Sequence, residues 1–130
     1  MKVKNNFYHG IMFHHFHDKK RHYKGQGSLD KYKFNSLIKY LGKKNILDPD
    51  EFIDKWKENK LKNNHLCLTF DDGLQEHYNH VYKILKRRGK SAIFFIPSKI
   101  LNKNTFLKVH KIHFLIAKIK IDKLLDQLNN

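Results

Sequence analysis

The stretch that most constrains this chain is His65-Leu66-Cys67-Leu68-Thr69-Phe70-Asp71-Asp72-Gly73, an apolar run ending in two adjacent carboxylates and a glycine. The apolar part is too short for a free-standing helix and ends in Thr and Phe, which suits a strand buried on both faces. Gln75 to Arg88 then carries Tyr78, Val81, Tyr82 and Leu85 at the i, i+3, i+4, i+7 spacing of an amphipathic helix, with Gly89 where a C-terminal cap belongs. Ser91 to Ile96 supplies a second apolar strand, so the spacing predicts two buried parallel strands joined by a right-handed crossover. Sheets of this α/β kind bind ligands beyond the carboxyl ends of their strands, where Asp71 and Asp72 stand.

Two ionised carboxylates on neighbouring residues repel unless a cation, a proton or solvent relieves them. A divalent metal is one such relief. Successive side chains at a strand end diverge, so one Asp can reach the metal while the other faces a water beside it. Gly73 lets the backbone turn with positive φ. Asp-Gly is equally a common turn signal, and the helix after it argues against a hairpin without excluding an ordinary strand-to-helix loop.

Thr69-Phe70-Asp71-Asp72-Gly73 resembles the first motif of the polysaccharide deacetylases, a superfamily that includes chitin and peptidoglycan deacetylases. Ser91-Ala92-Ile93-Phe94-Phe95-Ile96 resembles their following strand, and Ile11-Met12-Phe13-His14-His15-Phe16 the hydrophobic-Tyr-His opening of many members, with Phe13 in place of Tyr. The resemblance implies a (β/α) barrel with parallel strands and flanking helices, a divalent metal, usually zinc, and an acetylated sugar or surface-glycan precursor as substrate. By motif position Asp72 would bind the metal and Asp71 would be the catalytic base. The two His ligands normally come from a second motif, His-Ser/Thr-x-x-His-Pro, which this sequence does not contain; its His pairs His14/His17, His77/His80 and His110/His113 are all i, i+3. The expectation is therefore an incomplete barrel over residues 1–130, lacking its C-terminal half, inert alone, with zinc binding weak or absent. Two alternatives stay open: a compact metal hydrolase using substitute ligands among His14, His15, His110 and His113, and a noncatalytic basic glycan-binding module.

Length supports the incomplete barrel, because 130 residues make one domain with a real core, whereas a full βα barrel takes about 200 or more. The formal charge is +15 at pH 7, which attracts polyanions. Almost all of it is lysine. Nucleic-acid surfaces favour arginine forks, and only Arg21, Arg87 and Arg88 occur, so the charge is read as compositional bias on solvated faces and no nucleic-acid partner is expected. The single Cys67 cannot form an internal disulfide. No apolar run approaches the roughly 18 residues of a membrane span, and no signal-peptide core is visible, so a cytoplasmic location is expected.

Along the chain, Phe7 to Phe16 reads as the first strand, ending in His14, His15 and His17. These three imidazoles invite a metal reading, but in an extended segment His15 and His17 share one face and His14 the other. The simpler reading has His14 and His15 lining the barrel mouth as substrate-side residues, with His17 in a loop over Asp18 to Ser28. Leu29 to Leu41 reads as a helix capped by Ser28 and ending at Gly42. Asn45-Ile46-Leu47 suits a short strand, and Asp48-Pro49-Asp50-Glu51 opens a helix with Asp at N-cap, Pro at N1 and Glu at N3, its buried side made by Phe52, Ile53 and Trp56. Phe106 to Ile119 and Ile121 to Leu128 read as two closing helices. His110 and His113 share a face with Phe106, Val109 and Ala117, which favours a core or helix-contact role over half of a metal site. An incomplete barrel leaves an unpaired sheet edge, and self-association through it is expected.

Overall fold

The computed structural model describes residues 9–18, 27–101 and 107–119, together with Lys123. The expected central strand is β2, Leu66–Asp71. It pairs in parallel with β1, His9–Phe13, on one side and with β3, Ile93–Phe95, on the other, giving the order β1-β2-β3. The register sets Phe13 opposite Phe70 and Asp71 opposite Phe95, so the carboxyl ends of all three strands meet at one rim.

Three helical segments precede β3. Helix α1, Lys31–Leu41, is capped by Asp30, whose Oδ1 accepts from the backbone N–H groups of Tyr32 and Lys33 at 2.9 and 2.8 Å. The expected cap Ser28 is instead engaged with His17, its Oγ 3.0 Å from Nδ1, because the helix starts two residues later than the hydrophobic pattern suggests. Gly42 ends the helix as expected, with φ 82°. Helix α2, Pro49–Lys57, begins after Asp48 with Pro at its start, but the Asp48 carboxylate does not cap it. Oδ1 of Asp48 accepts from the backbone N–H and the hydroxyl of Ser91 at 2.7 and 2.6 Å, tying the start of α2 to the approach to β3. Phe52, Ile53 and Trp56 do not make a buried face; Trp56 and Ile53 are exposed, since α2 lies at the periphery. Asn45-Ile46-Leu47 forms only a bridge, with Ile46 paired in parallel to Leu66.

The segment expected as a regular helix from Gln75 to Arg88 is split. His77–Tyr82 is a π-helical stretch, followed by α3, Lys83–Arg87. The wider turn keeps His77, Val81, Ile84 and Leu85 buried, while Tyr78 and Tyr82 stack on each other outside with centroids 5.7 Å apart. Gly89, at φ 58°, closes the end: its N–H bonds to the Lys86 carbonyl and that of Lys90 to the Leu85 carbonyl, the paired bonds of a Schellman motif.

The core lies between β1, β2, α1 and the π-helical stretch. Phe70 is fully buried and stacks on Phe13 and Phe94 at 5.1 Å each, while Phe34 meets Phe13 and Phe70 edge-on. Strand β3 departs from the expectation of burial on both faces. It is three residues long, and Phe94 and Phe95 are both exposed to some degree, Phe95 by 55%. As an edge strand it has β2 on one side only, and no described element covers its outer face. Helices α4, Ser98–Leu101, and α5, Lys108–Lys118, follow, neither with a buried residue. The helix expected over Ile121 to Leu128 lies outside the described residues, as do residues 7 and 8 of the expected first strand and most of the loop before Ser28. No helix among the described residues is long and apolar enough to cross a membrane.

Candidate functional site

Asp71 closes β2, and Asp72 and Gly73 follow it with φ of 78° and 60°. Two successive left-handed residues make a sharp turn that only Gly adopts freely and Asp tolerates better than most. A Cβ on Gly73 would stand 3.2 Å from Cγ2 of Ile96, so the glycine also lets the turn press against the end of β3. The turn chemistry and the carboxylate chemistry thus occupy one stretch, and the chain leaves it into a helix.

The turn sends the two carboxylates to different neighbours. Oδ2 of Asp71 lies 3.6 Å from Nε2 of His14, at the end of β1, and its Oδ1 is buried with no hydrogen-bond partner. Oδ2 of Asp72 lies 3.6 Å from Nε2 of His110, on α5. His110 in turn meets His15, with Nδ1 and Nε2 of the two rings 3.3 Å apart, and His113 packs on His15 at 4.5 Å between ring centroids. An open cleft of about 490 Å³ lies over this cluster, lined among others by Met12, His14, His15, Asp72, Val109 and His113.

His14 and His15 lie at the rim beside the carboxylates, whereas His17 is buried against Ser28 and away from the pair. Of the expected core or helix-contact role, His110 and His113 show the contact half: they are half-buried on a helix without buried residues, both rings meet His15, and His110 faces Asp72. The carboxylate that His110 faces comes from the turn after β2, not from its own helix. His77 was also missed. Its ring is buried against Phe16, Phe70 and Phe94, and its Nε2–H donates to the His14 carbonyl at 2.6 Å, which steadies the backbone carrying His14. Its position under His14 depends on the π-helical turn.

Burial pushes three of these imidazoles toward the neutral form. His15 falls to about 4, through desolvation first and then the neighbouring imidazoles of His113 and His110. His77 is lowered by burial, with the hydrogen bond to the His14 carbonyl opposing it. His110 is lowered by burial as well, partly offset by the Asp72 carboxylate. Neutral imidazole is the form that binds metals.

Among the described residues no group of three or more His, Cys, Asp or Glu side chains converges as a ready-made metal site. The donors nevertheless fit a divalent metal in kind. Two ligands of a tetrahedral zinc at about 2.0–2.1 Å are about 3.4 Å apart, and the Asp72–His110 spacing is 3.6 Å. His110 Nε2 and His113 Nδ1 are moreover buried without partners.

The sequence profile of the polysaccharide deacetylase family matches residues 58–126, which takes in β2, the Asp71–Asp72 turn, β3 and α5. No curated protein sequence matches the chain. Two solved structures share its fold. One is a de-N-acetylase from Aggregatibacter actinomycetemcomitans, 24% identical with a TM-score of 0.61, over 77% of this chain and 42% of that one. The other is a Streptococcus pyogenes deacetylase in complex with acetate, 21% identical with a TM-score of 0.57, over 81% of this chain and 50% of that one. The chain thus spans half or less of the length of these structures, and its three parallel strands with flanking helices fit an incomplete α/β barrel of the same type.

Proposed function

The chain belongs to the polysaccharide deacetylase family, and from that premise we propose that it carries the base and metal-binding part of a site that hydrolyses the acetamido group of N-acetylated sugars. The observation that carries this reading is the divergence of the two carboxylates, Asp71 to His14 and Asp72 to His110, at the rim of one cleft. The similar proteins support the substrate class: one is a de-N-acetylase and the other was solved with acetate, the acid that such hydrolysis releases.

Asp72 and His110 would hold the metal, zinc by donor type. A divalent metal there supplies Lewis acidity to the acetamido carbonyl oxygen. Asp71 takes the proton of the attacking water as that water's oxygen bonds to the carbonyl carbon. His14, half-exposed to the cleft and paired with Asp71, is placed on the substrate side to give a proton to the departing amine as the C–N bond breaks. His15 lines the same cleft, with its Nε2 engaged by His110.

By itself the chain is expected to bind zinc weakly and to release no measurable acetate, because the described residues include only three strands and no acetyl pocket built from later ones. Its basic balance suits an anionic surface glycan or its precursor, and the open β3 edge suits self-association. A cytoplasmic site of action belongs to the same proposal. Isothermal titration with zinc tests the division of labour: Asp72→Ala should abolish binding, while Asp71→Asn should leave it within a few-fold. Equal loss in both variants would refute separate roles. Acetate release by the chain alone that disappears in Asp71→Asn would instead show a compact enzyme complete with its histidine substitutes.

A further inference from the structure

We propose that His15 is the positioning residue of His110: its Nε2 accepts the Nδ1–H of His110 and so leaves the Nε2 lone pair of His110 turned toward Asp72. This rests on the reading of Asp72 and His110 as metal ligands. The two rings meet edge-on, with centroids 4.8 Å apart, an interplanar angle of 84° and the nitrogens at 3.3 Å. One hydrogen lies between two neutral imidazoles so placed, and it belongs to one of them. Were His15 the donor, His110 would carry its own hydrogen on Nε2, buried, without a hydrogen-bond partner and 3.6 Å from the Asp72 oxygen, a longer contact than the 3.3 Å between the two imidazoles. With His110 as donor, its Nε2 lone pair and the carboxylate oxygen face each other at the spacing of two ligands of one cation. Metal-binding histidines commonly give their other N–H to a carboxylate, a carbonyl or water, which fixes the tautomer and the ring orientation. Here an imidazole from another element takes that proton.

The chain supplies the rigidity the role requires. His15 lies two residues past the end of β1, and its carbonyl accepts the Leu29 N–H at 3.1 Å while the His17 N–H donates to the Leu29 carbonyl at 2.9 Å. This pairing holds the segment without help from α5. Side chains alternate along extended backbone, so His14 goes to Asp71 and His15 to His110. Helix α5 has no buried residue of its own to fix its rotation, and the His15–His110 contact is one of the few, with Asp72–His110 and His15–His113, that set it.

Zinc affinity would be measured by competition titration on the chain and on His15→Phe, His15→Gln, His110→Ala and Asp72→Ala, with cobalt absorption reporting the ligand set. His15→Phe keeps the volume, removes the acceptor and should weaken zinc about 10- to 100-fold. His15→Gln offers an amide oxygen in its place and should stay within about threefold of the unsubstituted chain. The cobalt bands should keep their positions in both. Long-range proton–nitrogen spectra of the unsubstituted chain with zinc should show His110 protonated at Nδ1, a result independent of how any variant folds. Zinc binding unchanged by His15→Phe but lost in Asp72→Ala would overturn this role alone. A Gln variant as weak as Phe, shifted cobalt bands, or His110 protonated at Nε2 would overturn it too. No zinc binding by the unsubstituted chain would overturn both this role and the reading beneath it.

Discussion

The two sides of the three-stranded sheet differ sharply in how completely they are packed. Around β1, β2 and α1 the core-facing side chains are sealed: Phe34, Phe70 and Leu68 are 0% exposed and Ile38 1%. Beyond β2 the picture reverses, with Phe95 at 55%, Ile96 at 54%, Leu101 at 70% and Ile112 at 54%. Both sides carry apolar runs in sequence, so the difference lies in partners. The first strand and helix cover a neighbour within this chain, whereas β3 and α5 present apolar faces that no described element covers. The candidate site sits on the seam, with Asp71, Asp72, His14 and His15 on the sealed side and His110 and His113 on the open one. The seam therefore joins a fixed pair of carboxylates to histidines whose placement depends on a few contacts, and metal affinity should be the property most sensitive to it.

The largest effect that would break this comparison is in the sealed half. Phe70→Ala removes a ring in contact with five others and should cost about 3–5 kcal/mol in urea unfolding. That is a large share of the roughly 5–15 kcal/mol of an ordinary domain. A loss below about 1 kcal/mol, the range of peripheral substitutions, would mean that the core is not packed as described.

Much of the sealed half was legible because its signals are local. The run Leu66 to Phe70 ended by Asp71 and Asp72, the helix stop at Gly42 and the Gly89 cap each depend on a few neighbouring residues and stand where the spacing put them. What failed depended on context. The capping residue moved from Ser28 to Asp30 because the Ser28 hydroxyl pairs with His17, a choice no helix pattern records. The regular helix expected from Gln75 gave way to a π-helical turn that puts His77 under His14. In the site, the Asp pair was legible from adjacency and the family motif, but the His110 partnership was not. Periodicity describes one helix face at a time, and the carboxylate that His110 faces comes from a different element.

The next effect is at the tie between the halves. Asp48→Ala removes one acceptor of two hydrogen bonds from Ser91 and should cost about 1–2 kcal/mol. The Ser91 hydroxyl bond holds the Asp48 carboxyl below its ordinary value, so its contribution is present above that value and fades as the pH falls through the folded one. A variant as stable as the parent at neutral pH would mean that α2 and β3 are not joined through this contact.

Acid should weaken the sealed half through His77. Its buried ring is held below the ordinary histidine value, so below about pH 6.5 the unfolded chain binds a proton that the folded chain resists. Stability is complete above that pH and declines as pH falls through it. His77→Phe should flatten the decline below about pH 6.5 while leaving that of the neighbouring lowered imidazoles, His15 and His110, in place. An unchanged slope would place His77 in solvent.

The smallest effect belongs to the open half and sharpens the comparison most. Phe95 and Ile112 are each more than half exposed, so in a monomer Phe95→Ser or Ile112→Ser removes surface already in contact with water. Each should change unfolding stability by no more than about 0.5 kcal/mol. The same apolar faces are an unpaired edge strand and an uncovered helix, the features through which chains associate. Sedimentation velocity over a range of concentrations should therefore show association in the unsubstituted chain that the double variant reduces, while its urea midpoint at low concentration stays put. If the double variant instead loses as much as the roughly 3–5 kcal/mol of a buried aromatic, β3 and α5 are packed in solution and the contrast between the two halves disappears. If stability and association are both unchanged, the exposed faces are real but too small or too well solvated to draw chains together, and the open edge has no consequence for assembly.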